Sequence, residues 1–334
     1  MRTSLADLLA ARPALLADGA TGTNYFKMGL EAGEPPEFWN VDHPDRVQAL
    51  HQQFVDAGAD IILTNTFGCN RHRLKLHKAE GRVFKLAKRA AELAREVADR
   101  ASRPVVVAGS VGPTGELFTP LGALTEAEAI DTFREEIEGL QAGGADVAWI
   151  ETMSAIQEVR AAANGAIALA MPYTATCSFD TAGRTMMGLL PDLLPGVFDG
   201  LAVAPVAMGA NCGVGASDIL VSLLAMTGNG ADAAFISKGN CGIPQFRGTE
   251  IHYSGTPELM GAYARLAFDA GARIIGGCCG TSPEHLAAMR AALDQLAVRG
   301  ARPTIDDIVE RIGPLANAAP APDAEPRARR RGRG

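Results

Sequence analysis

The sequence is poor in aromatic residues and histidine, and it has no long run of apolar residues. Only 5% of the 334 residues are aromatic, and the six histidines form no HxH or HExxH pair, which argues against a histidine-ligated zinc site. The longest charge-free run, Ala161–Phe179, contains Asn164 and Pro172 and does not predict a membrane span. Charges at Arg2 and Asp7 interrupt the first residues, which show no targeting signal. We therefore expect a cytoplasmic protein that does not enter a membrane.

Acidic residues outnumber basic ones, which argues against nucleic acid as the main partner. The formal net charge is −7, whereas binding to phosphates requires clustered lysine and arginine. The six cysteines lack the close spacing of a small disulfide-rich domain, so we expect reduced thiols that are available for chemistry or for a metal. Small molecules are therefore the expected partners, not nucleic acids or membranes.

Short apolar runs alternate with longer amphipathic segments along nearly the whole chain, which is typical of a parallel α/β sheet. The runs are apolar throughout, as in strands that are covered on both faces. The eight predicted strands are Ala14–Ala17, Asp60–Thr64, Pro104–Ala108, Val147–Ile150, Tyr173–Thr176, Val206–Gly209, Ala234–Ser237 and Arg273–Gly276. Eight strands favour a (β/α)8 TIM barrel, with an open doubly wound sheet as the alternative.

The helical pattern and the composition support one domain, residues 1–314. Among the predicted helices are Pro44–Ala57 after Asp42, Phe84–Ala101, and Thr125–Ala142. The last of these opens with a capping-box pattern. Residues 315–334 are rich in Ala, Pro and Arg and lack the apolar residues of a core. We predict that they form a disordered tail.

Three cysteines follow predicted strands, at the end of a parallel barrel where active sites lie. Cys212 follows the sixth strand, and Cys278 and Cys279 follow the eighth, each beside glycines. Three thiolates leave one position of a tetrahedral zinc ion open, as in catalytic sites, and a thiol is the natural ligand for that position. Simple packing and a strained disulfide between the adjacent cysteines are the alternatives. Cys69 and Cys177 are expected to be packing residues.

Two carboxylates also end predicted strands and would face the same mouth. Asp18 follows the first strand and Glu151 the fourth, so the pair could receive a substrate ammonium group. The alternative is that each merely caps the helix that follows, which is common for aspartate. The glycine-rich segments 18–22 and 109–115 could offer backbone N–H groups to an anion, but neither matches a nucleotide-binding fingerprint.

Together these motifs resemble the homocysteine S-methyltransferase family. The matching segments are Asp18–Thr23, Thr64–Phe67, Gly109–Pro113, Ile150–Thr152, Gly209–Cys212 and Gly276–Thr281. Within the family, the chain is similar to bacterial betaine–homocysteine S-methyltransferases. The resemblance implies a TIM-barrel methyltransferase that makes methionine. It also implies zinc on Cys212, Cys278 and Cys279, with the homocysteine sulfur as the fourth ligand.

The resemblance also assigns an amino-acid pocket by position. Asp18 and Glu151 would hold the amino group of homocysteine, and backbone N–H groups near Gly19 would take its carboxylate. Asn240 lies in a segment similar to one in cobalamin-dependent methionine synthases and would fill the open zinc position before the substrate binds. The family's tendency to assemble implies a homo-oligomer.

The methyl donor is less narrowly specified. Glycine betaine is the leading donor, and Trp39 resembles one of the aromatic residues that hold the quaternary ammonium in the animal enzymes. The tyrosines expected near Gly68 and Thr152 are absent. The alternative donors are therefore a sulfonium, such as S-methylmethionine or a dimethylsulfonio compound, and a separate methyl-corrinoid protein. A zinc- or thiol-binding protein without turnover is the alternative from a different class.

Overall fold

The chain folds into a barrel of parallel strands surrounded by helices, in a computed structural model that describes residues 2–228, 230, 233–242, 244–247, 250–295 and 298–317. Eight strands form one sheet in which successive barrel strands are neighbours, and a bridge between Ala17 and Ile61 joins the first strand to the second. This order confirms the TIM barrel and excludes the doubly wound sheet, in which the strand order reverses. The barrel strands are β1 (Leu15–Leu16), β2 (Ile61–Leu63), β3 (Val106–Val111), β4 (Val147–Met153), β5 (Tyr173–Cys177), β6 (Ala207–Cys212), β7 (Phe235–Gly239) and β10 (Ala272–Gly277). A separate two-stranded sheet consists of β8 (Pro244–Arg247) and β9 (Glu250–Tyr253).

The predicted helices are present, with bounds that differ by a residue or two. The first begins at Pro44 after His43 rather than after Asp42, because Asp42 ends a short preceding helix and proline favours the first helical position. Thr125 and Glu128 form the predicted capping box. The α-helices are α1 (Leu5–Ala11), α2 (Gly22–Lys27), α3 (Trp39–Asp42), α4 (Pro44–Asp56), α5 (Arg71–Lys75), α6 (Val83–Arg100), α7 (Glu126–Ala142), α8 (Ile156–Ala168), α9 (Ala216–Gly228), α10 (Pro257–Asp269), α11 (Pro283–Asp294) and α12 (Ile305–Ile312).

The core has an inner and an outer layer. The inner layer fills the barrel with fully buried side chains such as Leu15, Ile61 and Trp149. Leu5 and Leu8 of α1 pack on this layer and cover the end at which the strands begin. The outer layer lies between the strands and the surrounding helices. The described side chains fill the interior of the barrel, and active sites of such barrels lie beyond the carboxyl ends of the strands.

In the described part of the chain, an antiparallel hairpin of β8 and β9 is the one pair of strands that the sequence analysis did not predict. It lies between β7 and α10 and pairs Pro244 with Tyr253. Its segment carries apolar residues singly among polar ones, so no apolar run marks it as a strand. The hairpin brings Tyr253 to the open end of the barrel.

The chain leaves the barrel near the residue where the tail is predicted to begin. The backbone N–H groups of Ala316 and Asn317 both donate to the carboxylate of Asp218 at 2.9 Å, which attaches this segment to α9. The rest of the predicted tail, residues 318–334, lies outside the described residues. In the part of the chain that the structure describes, no helix is long and apolar enough to cross a membrane.

Candidate active site

The carboxyl ends of the barrel strands open into a cavity of about 720 Å³. Its walls come mainly from the loops that follow β1, β2, β4, β6, β7 and β10, with a contribution from the hairpin. The predicted site residues that line it are Gly19, Glu151, Cys212, Cys278 and Cys279. The predicted site residues that do not line it are Asp18, Trp39 and Asn240.

The three predicted metal ligands lie together. The Sγ atoms of Cys212, Cys278 and Cys279 are within 4.8 Å of one another, and sulfurs on a tetrahedral zinc ion are separated by about 3.8 Å. Cys212 ends β6 with a φ of 62°, and Gly213 follows with a φ of 77°, so the chain turns sharply at this cysteine. Such strained conformations of non-glycine residues are concentrated at functional sites.

The thiols of the cluster do not ionise readily on their own. Hydrogen bonding to Cys212, with burial added, raises the pKa of Cys279 to about 12. Three adjacent, half-buried thiols can lose their protons together only if a cation offsets the charge, and a thiophilic divalent ion such as zinc does so. By contrast, Cys177 lies alone in the core, where burial raises its pKa to about 12. Cys177 therefore behaves as the packing residue that the sequence predicts.

Asn240 connects two of the loops that carry the cysteines. Its Nδ2 donates to the carbonyl oxygen of Gly213 at 2.7 Å, and its Oδ1 accepts the N–H of Cys279 at 3.0 Å. The N–H of Cys278 in turn donates to the carbonyl oxygen of Gly239 at 2.8 Å. These bonds fix the positions of the cysteine loops relative to β7. In this structure Asn240 thus supports the cysteine loops through hydrogen bonds.

The two predicted carboxylates are buried at the strand ends, and neither caps a helix. Glu151 Oε1 accepts a hydrogen bond from Ser110 Oγ at 2.6 Å, and burial raises the pKa of this carboxyl. Asp18 Oδ2 accepts the N–H of Leu63 at 2.7 Å, which links the end of β1 to β2. Glu151 is therefore the carboxylate that faces the cavity, and Asp18 lies deeper.

Lys238 is a site residue that the sequence analysis did not single out. Its side chain is 2% exposed, and its Nζ lies 2.8 Å from Asp18 Oδ1. Burial opposes the positive charge, but Asp18 and Glu151 together keep the pKa of Lys238 above its usual value. The lysine lines the same cavity as Glu151 and the cysteines. The only sequence signal is its position directly before Gly239-Asn240 at a strand end.

Asn211 joins the carboxylate to the cysteine cluster. Its Nδ2 lies 3.4 Å from Glu151 Oε2 and 3.9 Å from Cys278 Sγ. Its Oδ1 accepts a hydrogen bond from Thr176 Oγ1 at 2.7 Å, which fixes the orientation of the amide. Asn211 appears in the sequence motif before Cys212, but the sequence alone gives it no role.

The aromatic residues of the cavity differ from the predicted one. Trp39 is 1% exposed, packs on Tyr25 with the ring centroids 5.1 Å apart, and donates from Nε1 to Glu34 at 3.2 Å. It supports the cavity wall from outside. Among the described residues, the phenylalanine and tyrosine side chains that line the cavity are Phe26, Phe67 and Tyr253.

Comparisons with known proteins agree with this geometry. Residues 15–293 match the family model described as homocysteine S-methyltransferase. The chain is 31% identical over 310 residues to the methionine synthase of Mycobacterium tuberculosis and 30% identical to that of Mycobacterium leprae. In both cases the alignment covers 87% of this chain but 25% of the relative. The chain thus spans about a quarter of the length of these relatives.

Solved structures show the same fold. The homocysteine methyltransferase MmuM from Escherichia coli, in its metallated form, superposes with a TM-score of 0.72 at 23% identity, over 85% of this chain and 98% of that one. Its oxidized form gives a TM-score of 0.71 at 24% identity, over 85% and 97%. The family model covers most of the barrel, including both carboxylates and all three clustered cysteines. The chain therefore belongs to the homocysteine S-methyltransferase family.

Proposed function

We propose that this chain is a zinc-dependent methyltransferase that transfers a methyl group to the sulfur of homocysteine and forms methionine. The observation that carries the proposal is the cluster of Cys212, Cys278 and Cys279, with Sγ atoms within 4.8 Å of one another. The cluster shares a cavity with the buried carboxylate of Glu151. A thiol-binding metal site and an amino-acid-binding group in one cavity suit a substrate that is both a thiol and an amino acid.

The residues of the site have separate tasks. Cys212, Cys278 and Cys279 would hold the zinc ion, which when bound supplies a lowered pKa for the substrate thiol and so a thiolate at neutral pH. Glu151 binds the substrate ammonium and fixes the amino-acid end. Asn211 and Asn240 fix the positions of the cysteine loops and of Glu151 relative to one another through the hydrogen bonds described above. The cavity aligns the donor methyl with the sulfur and limits the access of water.

Glycine betaine is the donor that we propose first. Phe26, Phe67 and Tyr253 line the cavity, and aromatic faces attract a quaternary ammonium. Glu37 is also part of the wall, with Oε1 accepting the N–H of Gly68 at 2.6 Å. Three aromatic side chains and a carboxyl group in one cavity suit a donor whose methyl group is bonded to a positively charged onium centre. Because Trp39 lies outside the cavity, a sulfonium donor is the second candidate, and a separate methyl-corrinoid protein is the third.

The test is methionine formation from homocysteine by the zinc-loaded protein. Glycine betaine, S-methylmethionine and a dimethylsulfonio compound are offered in parallel, and Cys279→Ala serves as the inactive control. Turnover with betaine supports the leading proposal. If only a sulfonium compound supports turnover, the donor is a sulfonium and not betaine. If all three compounds fail, a methyl-corrinoid protein is tested next.

Homocysteine titration distinguishes the enzyme from a protein that only stores zinc or thiols. Zinc-dependent binding of homocysteine supports the enzyme. Zinc uptake without homocysteine binding would overturn the proposal and favour storage. Calorimetry reports both events on the same sample.

A further inference from the structure

Lys238 separates Asp18 from the substrate cavity. Its Nζ lies 2.8 Å from Asp18 Oδ1, and the two side chains are 2% and 1% exposed. Lys238 lines the cavity, whereas Asp18 does not. The ammonium group of the lysine thus already occupies the position in which a substrate ammonium would contact Asp18.

The second oxygen of Asp18 is also engaged. Oδ2 accepts the N–H of Leu63 at 2.7 Å, so each carboxylate oxygen of Asp18 has a partner within the protein. Glu151 differs, because Oε1 accepts one bond from Ser110 at 2.6 Å while, within the described residues, Oε2 has only a long contact of 3.4 Å to Asn211. An ionised carboxylate accepts several hydrogen bonds. Glu151 therefore retains the capacity to bind an ammonium group, and it faces the cavity.

Lys238 has donors left for a ligand. An ammonium group has three N–H donors, and within the described residues Asp18 is the one hydrogen-bond acceptor that Nζ contacts. The ring of Trp149 covers another side, with its centroid 5.7 Å from Nζ. The remaining direction is the cavity, where Lys238 and Glu151 present opposite charges in one wall. An α-amino acid carries a carboxylate and an ammonium on one carbon, which is complementary to that pair.

We propose that Lys238 binds the α-carboxylate of the amino-acid thiol, that Glu151 alone binds its α-ammonium, and that Asp18 holds Lys238 in place. This inference rests on the proposed function, since homocysteine is the ligand. It differs from the assignment by family position, in which Asp18 shares the ammonium and backbone N–H groups near Gly19 take the carboxylate.

Three thiols separate these roles. Homocysteine carries both charged groups, 4-sulfanylbutanoate carries only the carboxylate, and 3-aminopropane-1-thiol carries only the ammonium. Their affinities are measured by calorimetry on the zinc-loaded wild type, on the double variant Asp18→Asn/Lys238→Met and on Glu151→Gln. The double variant removes both partners of the ion pair, because Lys238→Met alone would leave a buried charge without a partner.

Each variant should lose affinity for one charged group. A charge-assisted hydrogen bond corresponds to roughly ten- to a hundredfold in affinity. The double variant should bind homocysteine and 4-sulfanylbutanoate weaker by about that factor, while its affinity for 3-aminopropane-1-thiol stays within about twofold. Glu151→Gln should show the reverse preference between the two truncated thiols. Unfolding experiments should show that Lys238→Met is less stable than the double variant, which tests the Asp18–Lys238 pair without any ligand.

The outcomes separate this inference from the proposed function. If the wild type fails to bind homocysteine in the presence of zinc, the proposed function is wrong and this inference is wrong with it. If the wild type binds homocysteine but the double variant binds 4-sulfanylbutanoate as tightly as the wild type does, only the role of Lys238 is wrong. If the double variant instead loses binding of 3-aminopropane-1-thiol, Asp18 contributes to binding of the substrate ammonium.

Discussion

The side-chain amide of Asn211 holds the backbone and the side chain of Thr152 at once. Its Oδ1 accepts the N–H of Thr152 at 2.8 Å, and its Nδ2 donates to Thr152 Oγ1 at 2.7 Å. Thr152 follows Glu151, and Asn211 precedes Cys212, so one side-chain amide connects the segment of Glu151 to a cysteine of the cluster. Thr152 and Cys212 have φ values of 61° and 62°, and such conformations cost about 1–3 kcal/mol each. The hydrogen bonds from the Asn211 side chain help to offset that cost.

Asn211→Ala should therefore weaken zinc binding and homocysteine binding together. The variant leaves the N–H of Thr152 without its partner, which should lower the free energy of unfolding by about 1–3 kcal/mol. Chemical denaturation and zinc titration measure the two effects. Asn164→Ala on α8 is the control, since within the described residues its side chain makes no hydrogen bond, and it should change neither affinity. Lowered stability with both affinities intact would show that Asn211 is structural only.

Cys279→Ala should lose zinc and methyl transfer while the barrel remains folded. Cys279 lies at the mouth and not in the core, so the free energy of unfolding should change little. Cys177→Ala is the matched control because it removes a fully buried thiol from β5. That control should cost on the order of 1 kcal/mol of stability and keep its zinc. Zinc content by absorption spectrometry and unfolding by circular dichroism check both expectations, and full activity in Cys279→Ala would contradict the metal site.

Glu151→Gln should raise the KM for homocysteine about ten- to a hundredfold, because a charge-assisted hydrogen bond to the substrate ammonium is lost. Glu158→Gln is the matched control. Glu158 is also a buried carboxylate, but it accepts from Thr114 N and Oγ1 at 2.9 and 2.6 Å and does not line the cavity. It should lose stability without a change in KM. Equal KM changes in both variants would indicate a general loss of structure.

Local sequence patterns were sufficient to predict the barrel and the cysteine cluster. Each barrel strand is an apolar run covered on both faces, so these runs could be counted directly. Cys212 ends β6 and Cys278 directly follows β10, and these two strands flank β7 in the sheet. Once eight strands close a barrel, residues at alternate strand ends meet at one mouth. Topology alone therefore brings these sulfurs together.

Side-chain burial at the mouth could not be predicted in the same way. The partner of Lys238 is Asp18, 220 residues away, and a lysine at a strand end is equally compatible with an exposed position. Trp39 is the opposite case, a residue that was predicted in the site and lies outside it. Its segment resembles an aromatic position of the family, but its ring packs on Tyr25 and His43 outside the cavity. Contacts with residues of other segments determine the orientation of both side chains, and a local sequence pattern does not predict such contacts.

Gly19→Ala should lower both stability and activity. A β-carbon at this position would lie 2.7 Å from the carbonyl oxygen of Thr281 and 3.2 Å from the ring of Phe54, so the loop beside Asp18 would have to shift. Overpacking of this kind costs about 1–3 kcal/mol. Gly22→Ala is the control, since a β-carbon there meets nothing within 4 Å, and alanine favours the helix that begins at this residue. Urea denaturation should separate the two variants, and equal stability would contradict the close packing of this loop.

Glu136→Gln should make the protein more stable at neutral and alkaline pH. Glu136 on α7 is fully buried, and in the described structure neither carboxylate oxygen has a hydrogen-bond partner. Burial, with smaller contributions from Glu37 and Glu135, raises the pKa of this carboxyl well above its ordinary value of 4.5. The folded state therefore holds a proton that the unfolded state releases, and stability falls as pH rises from about 4.5 through the raised pKa.

Glutamine is close in shape to the protonated carboxyl but does not titrate. The unfolding free energies of Glu136→Gln and the wild type should thus be similar at acidic pH and diverge as pH rises, with the variant the more stable. Glu135→Gln is the neighbouring control, because Glu135 is partly exposed and pairs with Arg71 at 2.6 Å, and surface pairs contribute little. Denaturation at several pH values measures the difference between the curves. Parallel curves for Glu136→Gln and the wild type would mean that Glu136 is ionised in the folded protein and has a partner that compensates its charge.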